Sequence, residues 1–442
     1  KNPKKNKPDI ELINADIFLF DFENIKKQHS TENILIIGNP PWVTNSSLSS
    51  INSNNLPVKT NFKNQNGLDS ITGKGNFDVA EYILFMLFDA FHNYNGNIAL
   101  LVKNSVIKNI MINQIKSNYK ISDIEKLTID AKKEFNVSVE ASLFYCKLNS
   151  KQEYKYKNYD FYNYDNYYES GWVDNKFVFN VEYYSKTKQT DGICQFEWRQ
   201  GIKHDCSLIM ELEKTKFGYI NGLNEQIILE EDLIYNFLKS SDLKNSLINS
   251  TRKYIIITQK KVGESTDYIQ TNYPQTHNYL FNNKEIFNNR KSIIYKNKPA
   301  FSIFGIGDYS FKPFKVAISG FYNTFDFTLI LPINNKAVML DDTCYFLGFD
   351  LIEYAVYTVI ILNSEISKEF LKSIIFNDSK RIFTKDTLMR IDLLNILKLL
   401  SVEYFESKVI QINEKYKINI TLNLFENYLK ELKPKKQVLL FK

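Results

Sequence analysis

A chain of 442 residues exceeds one compact core of ordinary size, so at least two domains are expected. Its 56 basic and 50 acidic residues leave a net charge of only +6, which excludes a polycation gripping nucleic acid along its whole length; an acidic partner must be met by a local patch. The 44% hydrophobic and 24% charged fractions are those of a soluble globular protein. The cysteines Cys146, Cys194, Cys206 and Cys344 lie far apart, with neither the C-x-x-C spacing of a zinc site nor a secreted disulfide framework. A cytoplasmic location and no bound metal are therefore expected. No run of about eighteen apolar residues occurs and the first residues hold no apolar signal core, which argues against membrane insertion and secretion. The excess of Lys, Asn, Ile, Tyr and Phe is that of an AT-rich genome, so aromatic abundance alone says little about base stacking.

In chain order, residues 10–13 and the apolar run 34–37 read as short strands, the second bounded by Gly38 and two prolines. Residues 43–72 are polar and aperiodic, a long loop of the kind that is usually functional. From 78 to 93 the apolar residues Val79, Ile83, Met86, Leu87 and Ala90 recur at helical spacing, and Asn95-Gly96 ends the pattern. Strands are expected at 98–102, 121–129 and 141–148, which makes the first part an α/β sheet domain. A Tyr-, Asn- and Asp-rich stretch without clear period follows to about 184, and the domain boundary is placed at 185. The remainder mixes short strands and helices, and residues 413–432 read as an amphipathic helix. The expected organisation is 1–185, 186–410 and a C-terminal helical segment 411–442.

The strand at 34–37 runs directly into Gly38-Asn39-Pro40-Pro41-Trp42. In open α/β sheets ligands meet the carboxyl ends of the strands, where this loop would sit. Two prolines fix φ twice and carry no N–H, so the loop is stiff and its carbonyls are free to accept hydrogen bonds. Such a loop suits methyl transfer to an exocyclic amino group. If the Asn39 side-chain oxygen and the Pro40 carbonyl both accept N–H bonds from the amino group, its lone pair is favoured to point at an electrophilic methyl, and Trp42 would stack on the base. A base inside a duplex must be flipped out to reach it, at roughly a few kcal/mol. The motif alone leaves glutamine side chains and RNA bases open as targets.

With these residues in hand the chain resembles the gamma class of adenine-specific DNA methyltransferases of type II restriction-modification systems. The resemblance rests on the Asn39-Pro40-Pro41-Trp42 loop and on Asn14-Ala15-Asp16-Ile17-Phe18 before it. It rests also on Gly75-Asn76-Phe77-Asp78 and on Phe135-Asn136-Val137-Ser138-Val139. It implies a Rossmann-like sheet domain followed by a mixed α+β target-recognition domain, with S-adenosylmethionine as cofactor. Asn39, Pro40, Pro41 and Trp42 would be catalytic, Trp42 and Phe135 would sandwich the flipped adenine, and Asp16, Ile17 and Asn39 would hold the cofactor. The family's Gly-rich cofactor loop has no counterpart between Lys1 and Ala15. The sheet domain is thus expected to be incomplete at its N-terminus, with an upstream segment or a second polypeptide finishing the cofactor site.

The C-terminal half carries Trp198-Arg199-Gln200-Gly201-Ile202-Lys203-His204-Asp205, a segment from Arg290 to Tyr295, a Gly305/Gly307 stretch ending in Lys312 and Lys315, and Lys380-Arg381-Ile382-Phe383-Thr384-Lys385. These segments resemble recognition-domain segments of the same family. Arg199, Lys203, Lys312, Lys315, Lys380, Arg381 and Lys385 are the candidate contacts to double-stranded DNA. His204 reads as a surface hydrogen-bonding residue. The alternative reading is a DNA-binding module, or a fragment of a fused restriction-methylation enzyme, inactive without the upstream part.

Overall fold

The computed structural model describes residues 10–43, 78–137, 139–244, 248, 250–322, 324–377 and 381–433. Residues 44–72, 75–77, Ser138 and Lys380, which carry parts of the sequence expectations, lie outside them. Two compact units divide the chain, Lys1–Glu182 and Tyr183–Lys442; the expected boundary at 185 falls within the helix Val181–Thr187.

Unit 1 is built on one mixed sheet of β1 (Ile34–Gly38), β2 (Gly96–Lys103), β3 (Ile121–Ile129), β4 (Ala141–Leu148), β5 (Lys155–Asp160), β6 (Asn163–Val173) and β7 (Lys176–Val178), in spatial order β1-β2-β4-β3-β5-β6-β7. β1 and β2 are parallel, from Ile34 opposite Gly96 to Gly38 opposite Leu100. β4 lies antiparallel between β2 and β3, and β5 runs parallel to β3. It follows that β1, β2 and β3 point the same way and end along one margin, where β4 begins.

The helices of unit 1 are α1 (Glu23–Gln28), α2 (Val79–Phe91), α3 (Asn104–Ser117) and α4 (Ala131–Phe135). β2 buries alternate residues, Ile98, Leu100 and Val102, as a strand with one packed face must, and these join Leu84, Phe88 and Phe91 of α2 and Ile107, Ile110 and Met111 of α3 in one core. Each large side chain so buried contributes roughly 1.5–3 kcal/mol. The buried face of α2 includes Leu84, Phe85 and Phe88, while Met86 and Ala90 of the expected stripe are only half-buried.

Two expectations are corrected. Residues 10–13 form no strand: Ile10 is 78% and Leu12 92% exposed, and apolar character makes no strand where no described strand lies beside it to share hydrogen bonds. The Tyr-rich stretch after 148, read as aperiodic, is the second half of the sheet. Its buried positions are Tyr156, Asn158, Tyr159 and Ser170 rather than aliphatic residues, and the Asn158 amide nitrogen donates to Tyr168 O (3.2 Å) and Ser170 Oγ (2.9 Å). The Trp172 indole ties β6 to α3 by donating to Met111 O at 2.8 Å.

Unit 2 holds two sheets. The first is ordered β11-β10-β9-β13-β12-β16, from β9 (Glu211–Thr215), β10 (Gly218–Ile220), β11 (Gln226–Ile227), β12 (Ile234–Leu238), β13 (Lys253–Ile256) and β16 (Met339–Leu340). The second is ordered β15-β14-β17-β8, from β8 (Arg199–Gln200), β14 (Phe314–Ser319), β15 (Thr328–Ile330) and β17 (Cys344–Phe349). The helix Ile352–Leu362 is buried from Ala355 onward, in keeping with an apolar surface on all sides. Helices Val402–Tyr416 and Phe425–Leu432 pack on it, with Tyr428 fully buried and its hydroxyl 2.8 Å from Thr358 Oγ1. The segment 411–433 is thus built into unit 2 rather than standing apart. Among the described residues no helix is long and apolar enough to cross a membrane.

Candidate active site

The margin where β1, β2 and β3 end collects the chemistry-bearing residues of unit 1. β1 fastens to the core through Ile34 and Ile36, and the chain leaves it as Asn39, exposed, then Pro40, Pro41 and Trp42. Trp42 is half-buried and fixed: its indole N–H donates to Leu101 O on β2 at 3.1 Å. One residue on, Val43 O accepts from Val79 N at 3.0 Å, which anchors the end of the loop to the first residue of α2.

Phe135 closes the short helix α4, whose start is capped by the Asp130 carboxylate accepting from Lys133 N and whose end turns through Asn136 at φ 54°. A left-handed turn of this kind suits Asn. The Phe135 ring meets Trp42 edge-on, centroids 5.9 Å apart at 85°, and stays 46% exposed. The two rings touch, so a base held between them requires them to part.

Asp78 does two jobs at the same margin. Oδ1 accepts from Ala80 N (3.0 Å), capping α2, and Oδ2 takes Lys103 Nζ at 2.6 Å from the end of β2, in a largely buried pair. Beside it, Asn104 donates to Glu140 Oε2 (3.1 Å) and accepts from Ser142 Oγ (2.6 Å). Sequence reasoning missed Lys103, Asn104 and Glu140; the available signal was a charged residue at the end of an apolar strand, immediately before a helix.

Asp16 lies in a turn, not at a strand end. Oδ1 accepts from Phe18 N at 2.9 Å, and Phe18 rests against Tyr82 on α2, centroids 5.8 Å apart. Ile17 is 37% exposed. The Asp16 turn and the Trp42 loop are thus both seated on the N-terminal part of α2.

In unit 2 the candidate cations have acidic neighbours. Arg199 and Lys385 share Glu197, the latter at 2.7 Å, and these bonds, that from Lys385 foremost, hold the Glu197 carboxyl below its ordinary range. The Arg199 guanidinium also lies over the Tyr309 ring at 4.7 Å. Arg381 pairs with Asp342 at 3.2 Å, Lys203 with Asp205 at 3.6 Å, and Lys312 with Asp350.

Lys315 is corrected outright: it is fully buried in β14, its Nζ donating to Lys312 O, and burial pushes its ammonium down to about 7. It cannot meet a phosphate from there. His204 is likewise buried rather than superficial, with Nδ1 accepting from Cys206 N (3.2 Å) and Nε2 3.4 Å from Glu211 Oε1. His204, Glu211 and Asp341 lie close enough to share a cation, but the Lys239 ammonium already sits 2.7 Å from Glu211 Oε1. All four cysteines are buried thiols.

A fold of this plan occurs in a solved structure of the Type IIL restriction-modification enzyme MmeI in complex with DNA. The match has a TM-score of 0.56 at 13% identity and covers 95% of this chain and 56% of that one, so the chain spans about half the length of that enzyme. The chain therefore shares the fold of that structure. No family model matches the sequence. The Type II methyltransferase M.NspV of Nostoc sp. is 41% identical over 392 residues, 88% of this chain and 81% of the relative. The chain belongs to the type II methyltransferase family.

Proposed function

We propose that this protein transfers a methyl group from S-adenosylmethionine to the exocyclic amino group of an adenine flipped out of a specific duplex DNA sequence, within a restriction-modification system. The observation that carries the reading is the pinned Trp42 indole beside the half-open Phe135 ring, one turn of chain from the exposed Asn39.

Asn39 Oδ1 and the Pro40 carbonyl accept the amino hydrogens of the base and fix the direction of its lone pair, and the two rings hold its flat faces. Base–aromatic stacking is worth roughly 1–3 kcal/mol per base, which offsets the few kcal/mol of flipping. Asp16, Ile17 and Asn39 would hold the cofactor. Among the described residues Asp16 spends only Oδ1 on its own turn, and Oδ2 remains as an acceptor for an amino or hydroxyl group. When bound, S-adenosylmethionine would supply the electrophilic methyl carbon; the part of Asn39 and Pro40 is to aim the amino lone pair at it.

The reading is supported by membership of the type II methyltransferases and by the likeness to an enzyme solved on DNA. Arg199, Lys203, Lys312, Arg381 and Lys385 are the proposed contacts to the duplex. The test is transfer of labelled methyl from S-adenosylmethionine to duplex DNA by the protein expressed from its native gene, followed by digestion and identification of the methylated base. N6-methyladenine is expected, with Asn39→Ala slower by about two to three orders of magnitude, the scale of losing one preorganised group. Label on cytosine, or full activity in the variant, would refute it.

A further inference from the structure

A basic cleft in unit 2 is lined by the segment from Arg290 to Tyr295 and the residues around it, none of them among the candidate contacts, and its adjoining hollow reaches Asp205, the partner of Lys203. The helix Lys284–Asn288 and the chain from 289 to 301 enclose a hollow of about 830 Å³, and an adjoining one of about 700 Å³ shares Arg290, Lys291 and Ser292. Lys284, Arg290, Lys291, Lys296 and Lys298 line the larger hollow, and no Asp or Glu does.

The contrast with the other cations is physical. Arg199, Lys203, Lys312, Arg381 and Lys385 each stand beside a carboxylate that partly neutralises them. Among the described residues none of the four cleft lysines pairs with one, and Lys284 has only the Phe281 ring beneath it at 4.5 Å. Like charges gathered without counter-charge repel one another, and an anionic partner relieves that repulsion. A net charge of +6 over the whole chain does not account for such a gathering.

Arg290 makes the wall rigid. Its guanidinium lies over the Tyr295 ring at 3.7 Å and donates to Ser302 O (2.7 Å), His204 O (3.2 Å) and Phe287 O (3.0 Å). Its Nε and Nη1 are held by three backbone carbonyls, so it positions the segment while the lysines face the cleft. At the tip, between Lys291 and Lys296, Ile293 is 79% exposed on the short turn Ile293–Tyr295. An apolar tip set among cations fits the surface of a nucleic acid, which offers charged phosphates beside apolar sugar and base edges.

We infer that this cleft grips the phosphate backbone of duplex DNA, with Lys284, Lys291, Lys296 and Lys298 on phosphates and Arg290 holding the segment in place. The inference rests on the DNA-directed reading above and assigns the grip to a surface outside the Arg199, Lys203, Lys312, Arg381 and Lys385 set.

The experiment is fluorescence anisotropy of the full chain with a 30-base-pair duplex of random sequence, across a series of KCl concentrations. Four proteins are compared: wild type, Lys291→Ala/Lys296→Ala/Lys298→Ala, Ile293→Glu, and a charge control, Lys398→Ala/Lys430→Ala, at exposed positions that do not line the cleft. The salt slope of the triple variant is expected to fall by about one for each lysine that meets a phosphate. Ile293→Glu, which keeps every lysine but sets a negative charge at the tip, should bind at least roughly fivefold more weakly, and the control should keep the wild-type slope. Unchanged melting temperatures confirm that the exposed substitutions leave the fold intact. Steep, salt-dependent binding by wild type with the same slope in the triple variant would overturn the cleft and leave the DNA reading standing. No binding by wild type at low salt would overturn both.

Discussion

Replacing Lys315 by Met removes an ammonium that the fold buries without a counter-charge. The side chain is fully buried on β14, among the described residues no carboxylate pairs with it, and its bonded partner is the Lys312 carbonyl. Its pKa, near 10.4 in an unfolded chain, falls to about 7 in the fold; at about 1.36 kcal/mol per pH unit the difference sets a ceiling of ~5 kcal/mol on the cost of burying the charged form. Loss of the bond to Lys312 O takes back about 1 kcal/mol, so Lys315→Met should stabilise unit 2 by ~1–4 kcal/mol at pH 6. The sign with pH follows from proton count. Between about pH 7 and pH 10 the unfolded chain holds the Lys315 proton and the folded one has released it, so the wild type gains stability as pH rises through that window. The advantage of Met should therefore be full below about 7 and nearly gone by about 10. Urea unfolding at pH 6, 8 and 10, followed through the fully buried Trp198 of unit 2, measures it. A Met variant less stable at pH 6, or a gap that does not change with pH, would refute the reasoning. Loss of DNA affinity would return Lys315 to the surface.

At the site, Trp42→Phe keeps a ring against Phe135 and loses the donor to Leu101 O; methyl transfer should slow about tenfold, and Trp42→Ala at least tenfold further, read as kcat/KM on duplex DNA. Lys103→Met strands a largely buried Asp78 carboxylate and should lower stability by about 1–3 kcal/mol, while Lys103→Met/Asp78→Asn, which neutralises both partners, should recover part of the loss in thermal denaturation.

The first half of the sheet was legible because its strands are short aliphatic runs and α2 repeats at helical spacing. The loop after β1 was legible because two prolines and a Gly at a strand end leave few alternatives. The second half was hidden because its inward face is Tyr, Asn and Ser, whose burial depends on bonds such as Asn158 to Ser170 that no hydropathy pattern displays. Residues 10–13 misled in the opposite sense, since apolar character was present without a neighbouring strand. Lys315 was misread because a lysine is presumed solvated; the apolar run Val316–Ala317–Ile318 directly after it marks a strand buried on both faces. The sequence singles out Trp42 and Phe135, but their edge-on contact comes from where β2 and α4 place them, and spacing along the chain does not encode that.

The bond from Val79 N to Val43 O brings the two ends of residues 44–77 side by side. Trp42 and Asp78 keep their places through partners on β2, the Leu101 carbonyl and the Lys103 ammonium. The join therefore fixes the chain at 43 and 79, while Trp42 and Asp78 draw their positions from β2, so the two margins of the site are set by the sheet itself.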